Sequence, residues 1–476
     1  MDIKKVKKIK FKIQTEILKK LKSVKSIISV TFVGSFIDKN SIDIINDIDV
    51  VVIVDKLNKN IFNKCLNQIK LIPTKTLGVG NKELLINTNF GPLKFNSENN
   101  LVIHLMVYDR EGHKNHVTYS PFTCYDWERS NIFHKSNLSG IFPVGTLQSR
   151  DFLDSRRGIN DYINDLKKGI VSYKKYKFKN KNYVFQNKSA ILIGRRQYEY
   201  YYHIINFLIK NYIKFILQKN LKENYKYFFK KNFSKNFLKN YYFIINLLKK
   251  IKDNNYTQKL NKKYFLIKFI NNFYKIFNRK IIKKSKTVFF VRHQKTKLNN
   301  DTFLGQNRNP SIIESNITID KNFDKFITSP MKRTIESLKL FSKCKTYNQD
   351  KDLLEINYGL AEGLNFKELK STFPHISKAW NKRRDVKFPK GESYKDVNIR
   401  VNCFVNKLLK YKEKSFCIMT HNVFLRCLIG SYYNIKSHNW HKIYIPHLTL
   451  LEFKILNNRL YPNISRLLLK EIFSKL

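Results

Sequence analysis

Arg292 and His293 stand side by side at the end of an apolar run, Thr287-Val288-Phe289-Phe290-Val291. A guanidinium is a flat fork of donors that matches two phosphate oxygens, and an imidazole beside it can serve as nucleophile or base near neutral pH. A second histidine, His421, closes a similar run, Ser415-Phe416-Cys417-Ile418-Met419-Thr420. Between the two lie Arg333, in Ser329-Pro330-Met331-Lys332-Arg333, and Glu355, in Leu353-Leu354-Glu355. A phosphoryl group in transfer spreads negative charge over its equatorial oxygens, and cationic forks and donors stabilise that charge.

A different constellation lies near the start of the chain. The β-branched run Ile27–Val33 ends at Gly34-Ser35, and Asp47 and Asp49 lead into Val50-Val51-Val52-Ile53-Val54. Strand side chains alternate, so the two aspartates share one side, and two carboxylates there call for a hard cation such as Mg²⁺. Gly34 lets backbone N–H groups approach a phosphate, and Ser35 adds a hydroxyl. A later strand, Leu101–Asp109, carries His104 in its middle and Asp109 at its end. His113 and His116 read as solvated residues of a polar loop, and His438, His441 and His447 as structural or substrate-lining, because neither group has the further ligands that zinc needs.

Both constellations need strands that deliver polar residues at their ends, and the length of the chain, 476 residues, leaves room for two or three cores. The boundaries expected are a first domain over 1–150, a basic helical region over 151–285 and a last domain over 286–476. The middle is assigned to helices because apolar and aromatic residues recur there at three and four, as in Tyr198–Lys210, with lysine and asparagine between them. Lys+Arg 91 against Asp+Glu 36 gives a formal charge of +55. Such a charge can mark a nucleic-acid or anionic-surface partner. AT-rich codon usage, which favours Lys, Asn, Ile, Phe and Tyr, accounts for it slightly better, since the lysines are dispersed. Six cysteines without C-x-x-C spacing, no apolar signal segment and no membrane-length run suggest a cytoplasmic protein.

The order Arg292-His293, Arg333, Glu355, Tyr358-Gly359…Glu362-Gly363 and His421 resembles the histidine phosphatase (phosphoglycerate mutase-like) superfamily over about residues 286–456, and its phosphatase branch more than the mutases. That resemblance implies a three-layer α/β/α fold without a cofactor. It makes His293 the nucleophile that becomes phosphohistidine, puts Arg292, Arg333 and His421 around the phosphate, and makes Glu355 the proton donor. Asn299 and Gln306 would touch substrate. Gln294 and Lys295 depart from the glycine and acid usual after the nucleophile, and Ala361 from a common aromatic.

Strand, Gly34-Ser35, loop, Asp47-x-Asp49 and strand resemble the DNA polymerase beta-like nucleotidyltransferases over about residues 20–110. This implies an α+β core in which Gly34 and Ser35 hold a nucleoside triphosphate, Asp47 and Asp49 bind Mg²⁺, and a later strand supplies a third carboxylate, where this chain has His104 mid-strand and Asp109 at the end. The expected protein is thus a multidomain α/β chain: a nucleotidyltransferase-type core, a basic helical middle and a phosphatase acting on a small phosphorylated molecule. The rival is a basic RNA- or nucleotide-binding protein whose enzyme-like domains are partly or wholly inactive scaffolds.

Overall fold

The structure is a computed structural model that describes residues 3–38, 47–91, 100–179, 182–218, 230–253, 263–299, 301–314, 317–318, 321–342, 344 and 346–476. Asn46, beside the first aspartate, lies outside them. Two compact units emerge rather than three segments: Met1–Val144 with Asp151–Ile276, and Gly145–Arg150 with Phe277–Leu476.

The first unit is built on β1 (Ile27–Val33), β2 (Ile48–Val54), β3 (Glu83–Asn87), β4 (Asn100–Asp109) and β5 (Phe133–Lys135), in the order β3-β4-β2-β1-β5. β2 and β3 run parallel to β4, while β1 is antiparallel to β2 and β5. Helix Ile3–Lys22 buries Ile9, Ile13, Ile17 and Leu21, spaced to form one stripe. That stripe joins Phe62, Cys65 and Ile69 of helix Lys59–Lys70 over Val30, Phe32, Val50, Val52, Ile103, Leu105 and Val107. Because strands alternate, Asp49 of β2 and His104 of β4 fall on the opposite face of the sheet.

Residues 170–191, assigned to the helical middle from sequence, form a hairpin instead: β6 (Ile170–Lys179) pairs with β7 (Asn182–Ile191). Aromatic residues at every second position, Tyr176 and Phe178 opposite Tyr183, pack against the first unit's core, which is a strand period. Tyr176 Oη donates to the Val107 carbonyl and accepts from the Val107 N–H, both at 2.7 Å, so a side chain covers a free edge of β4 beyond β3. Helices Gly194–Leu217, Lys235–Asp253 and Lys263–Phe277 follow.

The second unit holds β8 (Lys286–Arg292), β9 (Lys325–Thr328), β10 (Asn348–Gln349), β11 (Ser415–Thr420), β12 (Leu450–Leu456) and β13 (Arg459–Pro462), in the order β10-β9-β11-β8-β12-β13. β8, β9, β10 and β11 are parallel; β12 runs antiparallel to β8 and β13. Phe289, Val291, Cys417 and Met419 pack with Leu338 and Phe341 of helix Lys332–Ser342 on one face. On the other, Phe290 meets Phe404 of helix Tyr394–Lys410 and Phe424 of helix Asn422–Tyr432. Alternating side chains thus make three layers.

A strap from far upstream belongs to this second unit. Thr146 N–H donates to the Tyr432 carbonyl (2.8 Å), Gln148 Oε1 accepts from Ile464 N–H (2.7 Å) and Ser149 Oγ donates to Asn463 Oδ1 (2.8 Å). All six cysteines are free, and no helix among the described residues is long and apolar enough to cross a membrane.

Candidate active site

β8 and β11 lie side by side in parallel with Arg292 opposite Thr420, so the residues that follow them, His293 and His421, leave the sheet as neighbours. Their ring centroids are 5.2 Å apart. The carboxyl ends of parallel strands form the crevice in which such sheets hold ligands.

His293 is buried, and its Nδ1 lies 2.6 Å from the Gln294 carbonyl. A carbonyl only accepts, so Nδ1 carries the hydrogen and Nε2 keeps its lone pair. Burial first, then the charges of Arg333 and Arg292, push the imidazole's pKa well below its usual value, so the ring is neutral. From the other side, His447 Nδ1 donates to the His293 carbonyl at 2.7 Å. Its own pKa is lowered to about 4, mainly by burial and then by Arg292, which keeps it neutral.

Arg333 has no solvent exposure. Its fork donates to the carbonyls of Gly305 (2.8 Å) and Arg308 (3.1 Å), and Arg292 Nη1 donates to the Ile445 carbonyl (2.6 Å). Arg292 Nε, Arg333 Nε and His421 Nδ1 are buried with no protein hydrogen-bond partner among the described residues. His421 Nε2 is 2.9 Å from Ser329 Oγ. Buried donors are costly to leave unpaired, and three around one histidine suit an anion.

Glu355 Oε1 accepts from the N–H groups of Ile356 and of Val423, in the first turn of helix Asn422–Tyr432, both at 3.0 Å. Burial raises its pKa; those two bonds and the charges of Arg333 and Arg292 pull the other way without cancelling it. A carboxyl whose pKa is raised keeps its proton to higher pH and can donate it.

Behind these side chains lies a layer that the sequence did not reveal. Glu362 accepts from the N–H groups of Gly305 (3.0 Å), Asn307 (2.9 Å) and Arg308 (2.8 Å), and so shapes the loop whose carbonyls grip Arg333. Gly363 takes φ +90°, a backbone conformation that side-chain-bearing residues rarely adopt, and lies against the Arg308 guanidinium. Arg400 donates to the carbonyls of Asp352 and Leu354 (both 2.9 Å) and Glu355 (3.2 Å), and pairs with Glu392 at 2.9 Å. The one legible hint was the pair Glu362-Gly363; nothing in the spacing singled out Arg400.

Two residues expected on substrate have bonds to the scaffold. Asn299 Oδ1 accepts from Thr296 N (2.8 Å) and Oγ1 (3.0 Å), closing the turn after His293, and Gln306 Nε2 donates to the Glu355 carbonyl (2.6 Å). Gln294, in the position usual for glycine, has no positive φ, and its Oε1 accepts from the Lys295 N–H at 3.0 Å. Lys295 is exposed.

In the first unit, Asp47, Asp49 and His104 each offer a donor atom, and these atoms lie within 4.8 Å of one another. The third member is a histidine, not a carboxylate: β2–β4 pairing sets His104 opposite Asp49, with Nδ1 2.8 Å from Asp49 Oδ1. Burial would lower the His104 pKa, but the hydrogen bond to Asp49 and the charges of Asp49 and Asp47 outweigh it and raise it. Asp109 stands apart as the cap of helix Arg110–Tyr119, accepting from Gly112 N–H at 2.7 Å. His113 and His116 sit on that helix, not in a solvated loop: His113 Nε2 faces the Leu138 and Phe142 carbonyls, and His116 stacks on Trp127. At Gly34 (φ +72°) a Cβ would fall 2.2 Å from Asp49 Oδ2, so the carboxylate lies against bare backbone. Ser35 Oγ is buried without a protein partner among the described residues. The set fits a divalent cation beside a phosphate.

A strand-end histidine pair, deep arginines and a buried glutamate of raised pKa stand together at the carboxyl ends of the parallel strands. Residues 316–462 match the histidine phosphatase superfamily (branch 1), and the chain carries a domain of that family at its C-terminal end. The matched stretch begins after Arg292 and His293, whose place at the site rests on the geometry above. Fructose-2,6-bisphosphatase of Saccharomyces cerevisiae is 29% identical over 128 residues, 27% of this chain and 27% of that protein. The 6-phosphofructo-2-kinase/fructose-2,6-bisphosphatase 4 of Rattus norvegicus is 26% identical over 157 residues, 30% of this chain and 32% of that protein. The chain thus spans about a third or less of the length of these curated relatives. Among solved structures, the alpha-ribazole phosphatase of Shigella flexneri aligns at 18% identity over 38% of this chain and 96% of that one, with a TM-score of 0.33.

Proposed function

We propose that the second unit hydrolyses phosphomonoesters of a small metabolite through a phosphohistidine at His293. The observation that carries this is the fixed tautomer: Nδ1–H held by the Gln294 carbonyl keeps a lone pair on Nε2, among buried guanidinium and imidazole donors. In the first step Nε2 bonds to phosphorus as the ester P–O bond breaks, and the Glu355 proton goes to the leaving oxygen. In the second, water attacks phosphorus, its proton passes to Glu355, and the P–N bond breaks to release phosphate and restore His293. Arg292, Arg333 and His421 stabilise the equatorial oxygens in both steps. Relatives named fructose-2,6-bisphosphatases favour a sugar phosphate as the substrate class. The test is phosphate release from a panel of sugar phosphates and nucleotides in EDTA, with trapping of ³²P on the protein at acid-labile, alkali-stable His293. Release that continues in His293→Ala would overturn the reading.

For the first unit we propose a nucleotidyltransferase-type site, with Gly34 and Ser35 at a nucleoside triphosphate and Asp47, Asp49 and His104 at a divalent cation, Mg²⁺ in the family it resembles. The carboxylate against bare Gly34 and the unpartnered Ser35 hydroxyl support it. Held by Asp47, Asp49 and His104, the cation would offset the charge of the phosphates. Nucleotide binding lost on Ser35→Ala and Asp49→Asn, measured by calorimetry, tests this part. On this reading the two units perform linked steps on one small molecule.

A further inference from the structure

His104 sets the chemistry of the cation at the first site. Its Nε2 lies 2.8 Å from the Asn89 carbonyl, which can only accept, so Nε2 carries a hydrogen. That bond orients the ring and directs Nδ1 toward the aspartates, 2.8 Å from Asp49 Oδ1. A carbonyl holding the far nitrogen of an imidazole is the usual support of a metal-ligating histidine. A carboxylate oxygen also only accepts, so without an ion Nδ1 must carry a hydrogen toward Asp49, and an ion that takes that hydrogen's place is held by both atoms. Neighbouring ligand atoms around an ion with bonds of about 2.1 Å at right angles stand roughly 3 Å apart. The observed separation is close to that, and Asp47 completes three donors on one side of the ion.

We propose that Asp47, Asp49 and His104 form a two-oxygen, one-nitrogen site that selects a transition-type divalent ion, of the Mn²⁺ or Zn²⁺ class, over Mg²⁺. Mg²⁺ favours oxygen ligands and retains its water, whereas imidazole nitrogen suits the later first-row ions. The face of the sheet decides the geometry: β2–β4 register sets His104 opposite Asp49, where a carboxylate would have made an all-oxygen set. The inference deepens the nucleotidyltransferase-type reading of the first unit, but its test does not depend on turnover.

The experiment is titration of the full chain with Mn²⁺, followed by electron paramagnetic resonance, alongside Mg²⁺ by calorimetry. The expected result is Mn²⁺ binding at least about tenfold tighter than Mg²⁺, with nitrogen-14 coupling in the pulsed spectrum. His104→Asp should reverse the preference toward Mg²⁺, and His104→Ala should abolish the nitrogen coupling. Should a variant misfold, the nitrogen coupling in the unaltered protein still decides the matter. Equal affinities, or bound Mn²⁺ without nitrogen coupling, would overturn the proposal. Tight Mg²⁺ with weak Mn²⁺ would overturn it while sparing the nucleotidyltransferase-type reading; binding of neither ion would remove the cation from both.

Discussion

On the proposed readings, the two polar centres would meet phosphate charge in opposite ways. Around His293 the second unit gathers Arg292, Arg333 and His421, with Arg292 Nε, Arg333 Nε and His421 Nδ1 buried and without a protein partner among the described residues, beside the carboxyl of Glu355. Around Asp49 the first unit gathers two carboxylates and a histidine over a bare glycine backbone. One centre supplies its own positive charge; the other, on the proposed reading, would take it from an ion. Strand geometry is behind both. Parallel β8 and β11 bring two strand ends together, whereas β2 and β4 meet at mid-strand His104, where a side chain can only face along the sheet's normal.

The largest effect that would break this contrast is loss of the proposed nucleophile. His293→Ala is expected to lower phosphate release by at least about 10³-fold, since residues acting as one catalytic unit fail together. EDTA is expected to leave the unaltered protein's release intact, because guanidinium groups do there what a metal would do. Release that collapses in EDTA and survives in His293→Ala would assign the chemistry to the aspartate centre.

Next in size is Arg333→Ala, expected to cost on the order of 10²-fold in kcat, the scale of losing one donor to a charged transition state. The Gly305 and Arg308 carbonyls would then lose their donors as well. Glu362→Gln separates the two effects: it weakens the loop's grip on Arg333 without removing the cation, so a smaller loss with an unchanged pH profile is expected.

Glu355→Gln sharpens the acid's part. The loss is expected to be about 10²-fold for an alkyl phosphate and far less for p-nitrophenyl phosphate, whose leaving oxygen needs no proton. The sign of the pH effect follows from the raised pKa of Glu355: the protonated donor is present at low pH and is lost as pH rises through that raised value. kcat/KM should therefore fall on the alkaline side, and Glu355→Gln should flatten that limb. The lowered pKa of His293 keeps the nucleophile neutral down to pH values well below the usual imidazole range. The same shift links to folding: a carboxyl whose pKa is higher folded than unfolded stabilises the fold below its unfolded value, and that contribution disappears as pH rises through the folded value.

The chemistry-bearing residues were legible because each ends an apolar strand or opens a helix: Arg292 and His293 after β8, His421 after β11, Arg333 in the first turns of helix Lys332–Ser342. What the sequence concealed acts through backbone. Glu362 stood in the spaced pattern, but its work of receiving three N–H groups did not show there, and Arg400, which reaches three carbonyls from a helix elsewhere in the chain, has no spacing that marks it. The hairpin at 170–191 was absorbed into the helical pattern because Tyr, Phe and Lys dominate both, and only the change from a period of three and four to two separates them. His104 was noticed as the wrong residue for a third carboxylate; that its nitrogen would close on Asp49 depended on strand register.

The smallest of these effects concerns the upstream strap, and it bears on what the second unit is. From sequence the last domain begins at residue 286, yet Gly145–Arg150 belongs to its contacts. Gln148 is buried and its Oε1 receives the Ile464 N–H at 2.7 Å, just after β13. Gln148→Ala leaves that buried N–H unpaired and is expected to cost the second unit about 1–3 kcal/mol. Gln148→Glu keeps an acceptor there and separates loss of the bond from loss of volume. Trp380 and Trp440 lie in this unit and Trp127 in the other. Urea unfolding followed by fluorescence, with Trp127→Phe as the background, therefore reads the second unit alone. Phosphate release at low denaturant should be nearly unchanged, because the strap touches none of Arg292, His293, Arg333, Glu355 or His421. A shifted midpoint with intact catalysis would mark the strap as a structural part of the phosphatase unit; an unshifted midpoint would return the boundary to where the sequence alone set it.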